Sequence, residues 1–156
     1  MVVSIEDIQS GFDAHSIHGA PIDNDEIPLW QGRVLAEIAL LAGDEQIQYA
    51  IATWHGDQFK ASAHVLVVTD SLLIESQVPD SRGVGHQTVA IARSGLERLE
   101  VEATAPYGSL SGAGKVIVRL RLRDRNEILT IPVRGATTYV STSNLGPLAA
   151  SLARDL

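Results

Sequence analysis

Near residue 44 the apolar positions of this chain change their period. Before that point Trp30, Val34, Ile38 and Leu41 recur at intervals of four, four and three, the stripe of an amphipathic helix. Pro28 suits the first turn of that helix and Gly43 its C-terminal cap. A shorter helix is expected over residues 4–12, with Ser4 and Asp7 spaced as a capping box. Residues 13–27, rich in His, Gly, Pro, Asp and Asn, read as a loop. Residues 1–43 therefore form a helical arm.

From Asp44 the period is two. Residues 46–54 alternate, with Ile47, Tyr49, Ile51 and Thr53 on one face, and His55, Gly56 and Asp57 turn the chain. Residues 63–69 (AHVLVVT) form a nearly continuous apolar strand, and 71–77 (SLLIESQ) pair with it after a break at Asp70. Residues 79–85 read as a loop. Further strands are expected over 86–93, 96–103, 115–123 and 127–133, the third of these following a glycine-rich loop. Asn144 can cap a final helix, with Pro147 in its first turn and Leu148, Leu152 and Leu156 at helical spacing. Seven strands in meander order and a closing helix, residues 44–156, imply a mainly β roll or small barrel whose open end the helix plugs.

The stretch Leu41, Ala42, Gly43, Asp44, Glu45, then a strand, a turn and VLVVTDSLLI (65–74), resembles the opening of bacterial pleckstrin-homology-like and GRAM-like domains. By element order the resemblance runs from Leu41 to Leu156. The chain departs from the pattern at Asp44, an added acidic residue, and at Ser71, where a basic residue is common. The arm lies outside the match. The resemblance implies a seven-stranded roll with a C-terminal capping helix, in a family that includes phosphoinositide binders, protein binders and self-assembling members. Within it, Thr69 and Asp70 are expected to make a tight turn whose side chains satisfy local backbone donors.

Composition narrows the functional classes. The 156 residues are 45% hydrophobic and 20% charged and include no cysteine, which excludes disulfides, thiolate metal sites and cysteine nucleophiles. The arm begins without a basic segment followed by an apolar run, and no apolar stretch approaches the ~20 residues of a membrane span, so a cytoplasmic location is expected. The net charge of −7 opposes polyanions. The loop after the first strand carries only Lys60 beside Asp57, too little cation for a phosphoinositide, so neither a nucleic acid nor a membrane is an expected partner. Arg119, Arg121 and Arg123 share a strand face, and Arg98, Glu100 and Glu102 on the preceding strand are expected to meet them in a charge ladder. The GSLSGAGK run (108–115) fails as a phosphate loop because Ser109 and Val116 replace required residues and a strand follows it. Asp13, His15, His18 and Asp23 read as surface groups rather than a metal site, and His64 and His86 as hydrogen-bonded strand residues. No nucleophile elbow or Ser/His/Asp grouping occurs.

The expectation is a non-catalytic interaction or scaffold module without cofactor or metal, binding a protein partner or itself. Its surface would be a sheet edge, the glycine-rich loop or the arm helix, with Trp30, Val34, Ile38, Trp54 and Tyr107 as candidate contacts. The alternative is a small-molecule or lipid-handling pocket at the open end of the roll, near His55, His64 and His86.

Overall fold

The computed structural model describes residues 4–8, 29–56, 61–79, 86–103, 116–131 and 145–156. Residues 5–8 are helical, followed by α1 (Leu29–Ala42), β1 (Ile47–Gly56), β2 (Ala61–Thr69), β3 (Leu72–Val78) and β4 (Gln87–Ala92). A 3-10 turn (Arg93–Gly95) leads into β5 (Leu96–Ala103), β6 (Val116–Leu122), β7 (Leu129–Ile131) and α2 (Leu145–Ala153). The strands form two antiparallel sheets, β1-β2-β3-β4 and β5-β6-β7, rather than one closed barrel.

The first sheet is apolar on both faces. One face of β2, with Leu66 and Val68, joins Tyr49, Ile51 and Leu73 against the second sheet and the leucines of α2. The opposite face, with Ala63, Val65 and Val67, joins Ala50, Ile74 and Val78 beneath the arm, whose Ile8, Val34, Leu35 and Ile38 cover it. This two-sided burial is why residues 65–68 form a continuous apolar run instead of alternating.

Several expectations are refined by packing. A register shift between Ile47 and Tyr49 turns Ile47 towards the arm while Tyr49 and Ile51 face the inter-sheet core, so the three residues do not share a face. The buried stripe of α1 runs through Val34, Leu35, Ile38 and Ala42, and Leu41 is 38% exposed. In α2 the stripe is Leu145, Leu148 and Leu152, whereas Leu156 lies beyond the helix and is exposed. Gly43 adopts φ +56 at the end of α1, a conformation glycine takes without a Cβ clash. Ser4 and Asp7 form the expected capping box: Ser4 N donates to Asp7 Oδ2 at 2.8 Å and Asp7 N to Ser4 Oγ at 3.2 Å. No described helix is long and apolar enough to cross a membrane.

The arm is thus part of the core rather than an appendage. Ile38→Ala, at a position with 0% exposure, is expected to lower the unfolding free energy by about 3 kcal/mol in urea denaturation. Leu40→Ala, on the exposed side of the same helix, is expected to change it by less than about 0.5 kcal/mol.

Candidate functional site

Two polar networks fix where β4 lies. Arg93, 4% exposed, follows β4 directly and ties four elements together. Its Nε donates to Asp155 Oδ2 at 2.6 Å, Nη1 to Thr69 O at 2.7 Å and to Gln48 Oε1 at 3.1 Å, and Nη2 to Ser151 Oγ at 3.0 Å. The C-terminal end of α2, β1 and the β2–β3 turn are held to the end of β4 by one guanidinium. In the same turn, the Glu45 carboxylate accepts from Thr69 Oγ1, Ser71 N and Ser71 Oγ, and Thr69 Oγ1 accepts from Leu72 N at 3.0 Å. The expected turn chemistry of Thr69 is therefore present. The bonds from Ser71 and then Thr69 hold the Glu45 carboxyl below its ordinary pKa.

At the other end of β4, Glu37 of α1 accepts from His86 Nε2 at 2.8 Å and from Thr88 Oγ1, and Thr88 is in turn 2.9 Å from Ser76 Oγ. Burial works against ionisation of Glu37, but the bonds from Thr88 and His86 prevail and lower its pKa. The arm helix is latched to β4 at that point.

Between β4 and the second sheet lies a cleft of about 710 Å³, bordered by Val89 and Ile91 of β4, by Ser94, and by the β6–β7 turn with Arg123 and Arg125. Glu75, 6% exposed, forms part of its wall. His64 Nε2 lies 2.7 Å from its Oε1, Gln77 Nε2 donates to the same oxygen at 3.1 Å, and Arg125 binds both carboxylate oxygens. Burial would raise the Glu75 pKa, yet the hydrogen bonds from His64, Arg125 and Gln77 with the charge of Arg125 hold it at about 2. Arg125 thereby anchors the β6–β7 turn across the cleft. Tyr49, fully buried in the inter-sheet core, has a hydroxyl without a hydrogen-bond partner among the described residues, and burial raises its pKa.

Among the described residues, none pairs with the outer side of β4. Arg93 N donates to Ser71 O at 2.8 Å, which sets the phase of the β3–β4 ladder. With Leu73 opposite Ile91 and Glu75 opposite Val89, alternation makes those the hydrogen-bonded pairs. The backbone N–H and C=O of Thr88, Ala90 and Ala92 consequently point away from β3, and among the described residues β4 is the last strand of its sheet. Val89, 40% exposed, stands on the cleft side of that edge.

Of the candidate contacts read from the sequence, Val34 and Ile38 are both at 0% exposure against the sheet. Trp30 lies in α1 and Trp54 in β1, with side chains outside the described residues, as is Tyr107 altogether. The candidate metal group Asp13, His15, His18 and Asp23 and the glycine-rich loop also lie outside them. His64 and His86 are both hydrogen-bonded to carboxylates, as expected of strand histidines. They sit on opposite sides of the sheet, His64 in the cleft network and His86 against α1, so they do not converge on one pocket. The charge ladder is present: Glu100 pairs in register with Arg119, which bridges Glu102 at 2.9 Å, while Arg98 meets Glu100 at 2.9 Å and Arg123 lies 3.6 Å from Glu97. Neither Glu75 nor Arg93 is among the candidate residues of the sequence, although both are buried and multiply bonded. Glu75 carried a usable signal, because a carboxylate inside the apolar run LLIESQV must find partners if the strand is buried.

The depressed pKa of Glu75 gives a pH dependence with a definite sign. As pH falls below 4.5 the unfolded carboxyl protonates first, so the folded-state contribution is lost between pH 4.5 and about 2. Glu75→Gln is expected to be less stable than wild type near neutral pH, with the difference closing across that window in pH-dependent urea denaturation. A difference that stays constant to pH 2 would contradict this account of the cluster.

No family model matches the chain, and no curated protein matches it. Among solved structures, a pleckstrin-homology domain from Shewanella amazonensis aligns at 17% identity over 79% of this chain and 95% of that one, with a TM-score of 0.45. A DUF1696 family protein with a pleckstrin-homology domain from Shewanella loihica aligns at 12% identity over 79% and 90%, with a TM-score of 0.46. The chain is similar to these bacterial pleckstrin-homology domain structures. Its own order of seven strands and a C-terminal helix is the one the sequence resemblance implied.

Proposed function

We propose that this domain is a non-catalytic interaction module, cytoplasmic, that takes an extended protein segment as an added strand along the outer edge of β4. The observation that carries the reading is the row of backbone donors and acceptors at Thr88, Ala90 and Ala92, turned away from β3 and unpaired among the described residues, beside the cleft that Val89 and Ile91 border. Main-chain hydrogen bonds supply affinity in such strand addition, and alternate side chains of the incoming segment reach the groove. The arm helix is a weaker candidate surface, because its apolar stripe covers its own sheet.

The charged groups bordering the cleft fit a structural role better than catalysis. Both oxygens of Glu75 are engaged, and its pKa is far from neutral, where a general acid or base works best. Polyanions remain poor partners, since Arg119 and Arg123 lie beside Glu102 and Glu97 on a chain of net charge −7. A pocket for a small molecule draws on the same cleft, whose volume is in the usual range.

An acetylated peptide copying residues 86–93 serves as a neutral strand probe. Titrated into dilute 15N-labelled protein, it is expected to shift the amides of Thr88, Ala90 and Ala92 and those bordering the cleft, leaving β5 unmoved. Ala92→Pro should abolish the shifts at little cost in stability: Ala92 already has φ −65, and its N–H faces away from β3. Shifts confined to other surfaces, or retained in the proline variant, would contradict the reading.

A further inference from the structure

We infer that the segment which adds to β4 is β4 of a second copy, the two strands pairing antiparallel about a two-fold axis through Ala90. This rests on the reading of β4 as a binding edge and goes further by naming the partner.

The other strand edges among the described residues carry the features that discourage pairing. β1 contains the bulge between Ile47 and Tyr49, β7 is three residues long, and β5 bears Glu97, Arg98, Glu100 and Glu102. β4 has none of these. Its sequence QTVAIA has no charge and no proline, and its pairing with β3 runs without a register shift. In a chain of net charge −7, this uncharged edge is where a second copy can approach without bringing like charges together.

The edge is also self-complementary. Thr88, Ala90 and Ala92, the residues whose backbone faces outward, are centred on Ala90. A two-fold axis there sets Ala90 against the partner's Ala90 and Thr88 against the partner's Ala92, closing about six backbone hydrogen bonds. The same register sets the exposed Val89 beside the partly buried Ile91 of the second copy on the cleft side, and the reverse, joining two apolar pairs. On the arm side, Glu37 reaches His86 and Thr88, so the side of α1 that carries it lies towards β4. Leu40 and Leu41, three and four residues further along α1, share that side and are 83% and 38% exposed.

The size of such a contact sets its strength. Six residues extend about 20 Å, and the helix layer, sheet and cleft together present about 20 Å of depth. Each copy then covers about 400 Å², roughly half of what each partner covers in a standard stable interface, so the dimer is weak and depends on concentration.

The test is the solution mass of the full chain by sedimentation over a concentration series, alongside the peptide titration. The expected result is a rise from the 16.7 kDa of one chain towards twice that value, with a dissociation constant in the range of tens to hundreds of micromolar, about −5 to −6 kcal/mol. Ala92→Pro and Val89→Lys should each weaken dimerisation at least about tenfold while keeping the wild-type fold by circular dichroism. Dimerisation unchanged in both variants would place the contact elsewhere and overturn the inference. A chain that stays monomeric up to millimolar concentration while the peptide still binds β4 would overturn self-pairing alone. A monomer that also ignores the peptide would overturn the binding-edge reading with it.

Discussion

The four-stranded sheet is apolar on both faces, and a sheet of that kind has to be covered twice. Val65 and Val67 point to one side and Leu66 and Val68 to the other, all at 0% exposure, so neither face can be left to water. One side is met by the second sheet and α2. The other is met by residues that precede the β-rich region, above all Val34, Leu35 and Ile38 of α1. Once both faces are occupied by the chain's own elements, what the first sheet can still offer a partner is an edge.

Two buried charges adapt the roll to that arrangement. Arg93 closes the corner where β4 passes into β5, satisfying its guanidinium with a backbone carbonyl, an amide, a hydroxyl and a carboxylate from distant parts of the sequence. Glu75 does the corresponding work beside the cleft, where its ion pair with Arg125 keeps the β6–β7 turn close to β4 without filling the space between them. The corner holds the end of the strand in place and the Glu37 latch its beginning, while its outer side is unpaired among the described residues. A fixed, open edge loses little conformational entropy when a strand is added to it.

Most of the architecture was legible in the order of periods. The switch from helical to strand spacing near residue 44, the turn at Thr69 and Asp70, and the leucines of the last helix each follow from local rules that packing did not override. The face assignments were less accessible. A single-residue bulge after Ile47 moved it to the opposite side from Tyr49, and a bulge of that kind leaves no clear mark in the alternation. The continuous run at residues 65–68 signalled a strand buried on both sides, but not that the arm would be one of its covers. The candidate site was the least legible part. Arg93 looks like an ordinary charged residue closing a strand, because its partners lie 24 to 62 residues away. That β4 rather than β3 ends the sheet is a property of topology, and the neutrality of QTVAIA gains meaning only once the strand is known to be an edge.

Residue-resolved amide hydrogen exchange on a dilute sample reads whether the outer side of β4 is open in the single chain. Exchange is expected to alternate along the strand, slow at Val89 and Ile91, whose amides bond to β3, and fast at Thr88, Ala90 and Ala92. Uniformly slow exchange across all five amides in a monomer would mean that the chain covers this edge itself and leaves no place there for an added strand.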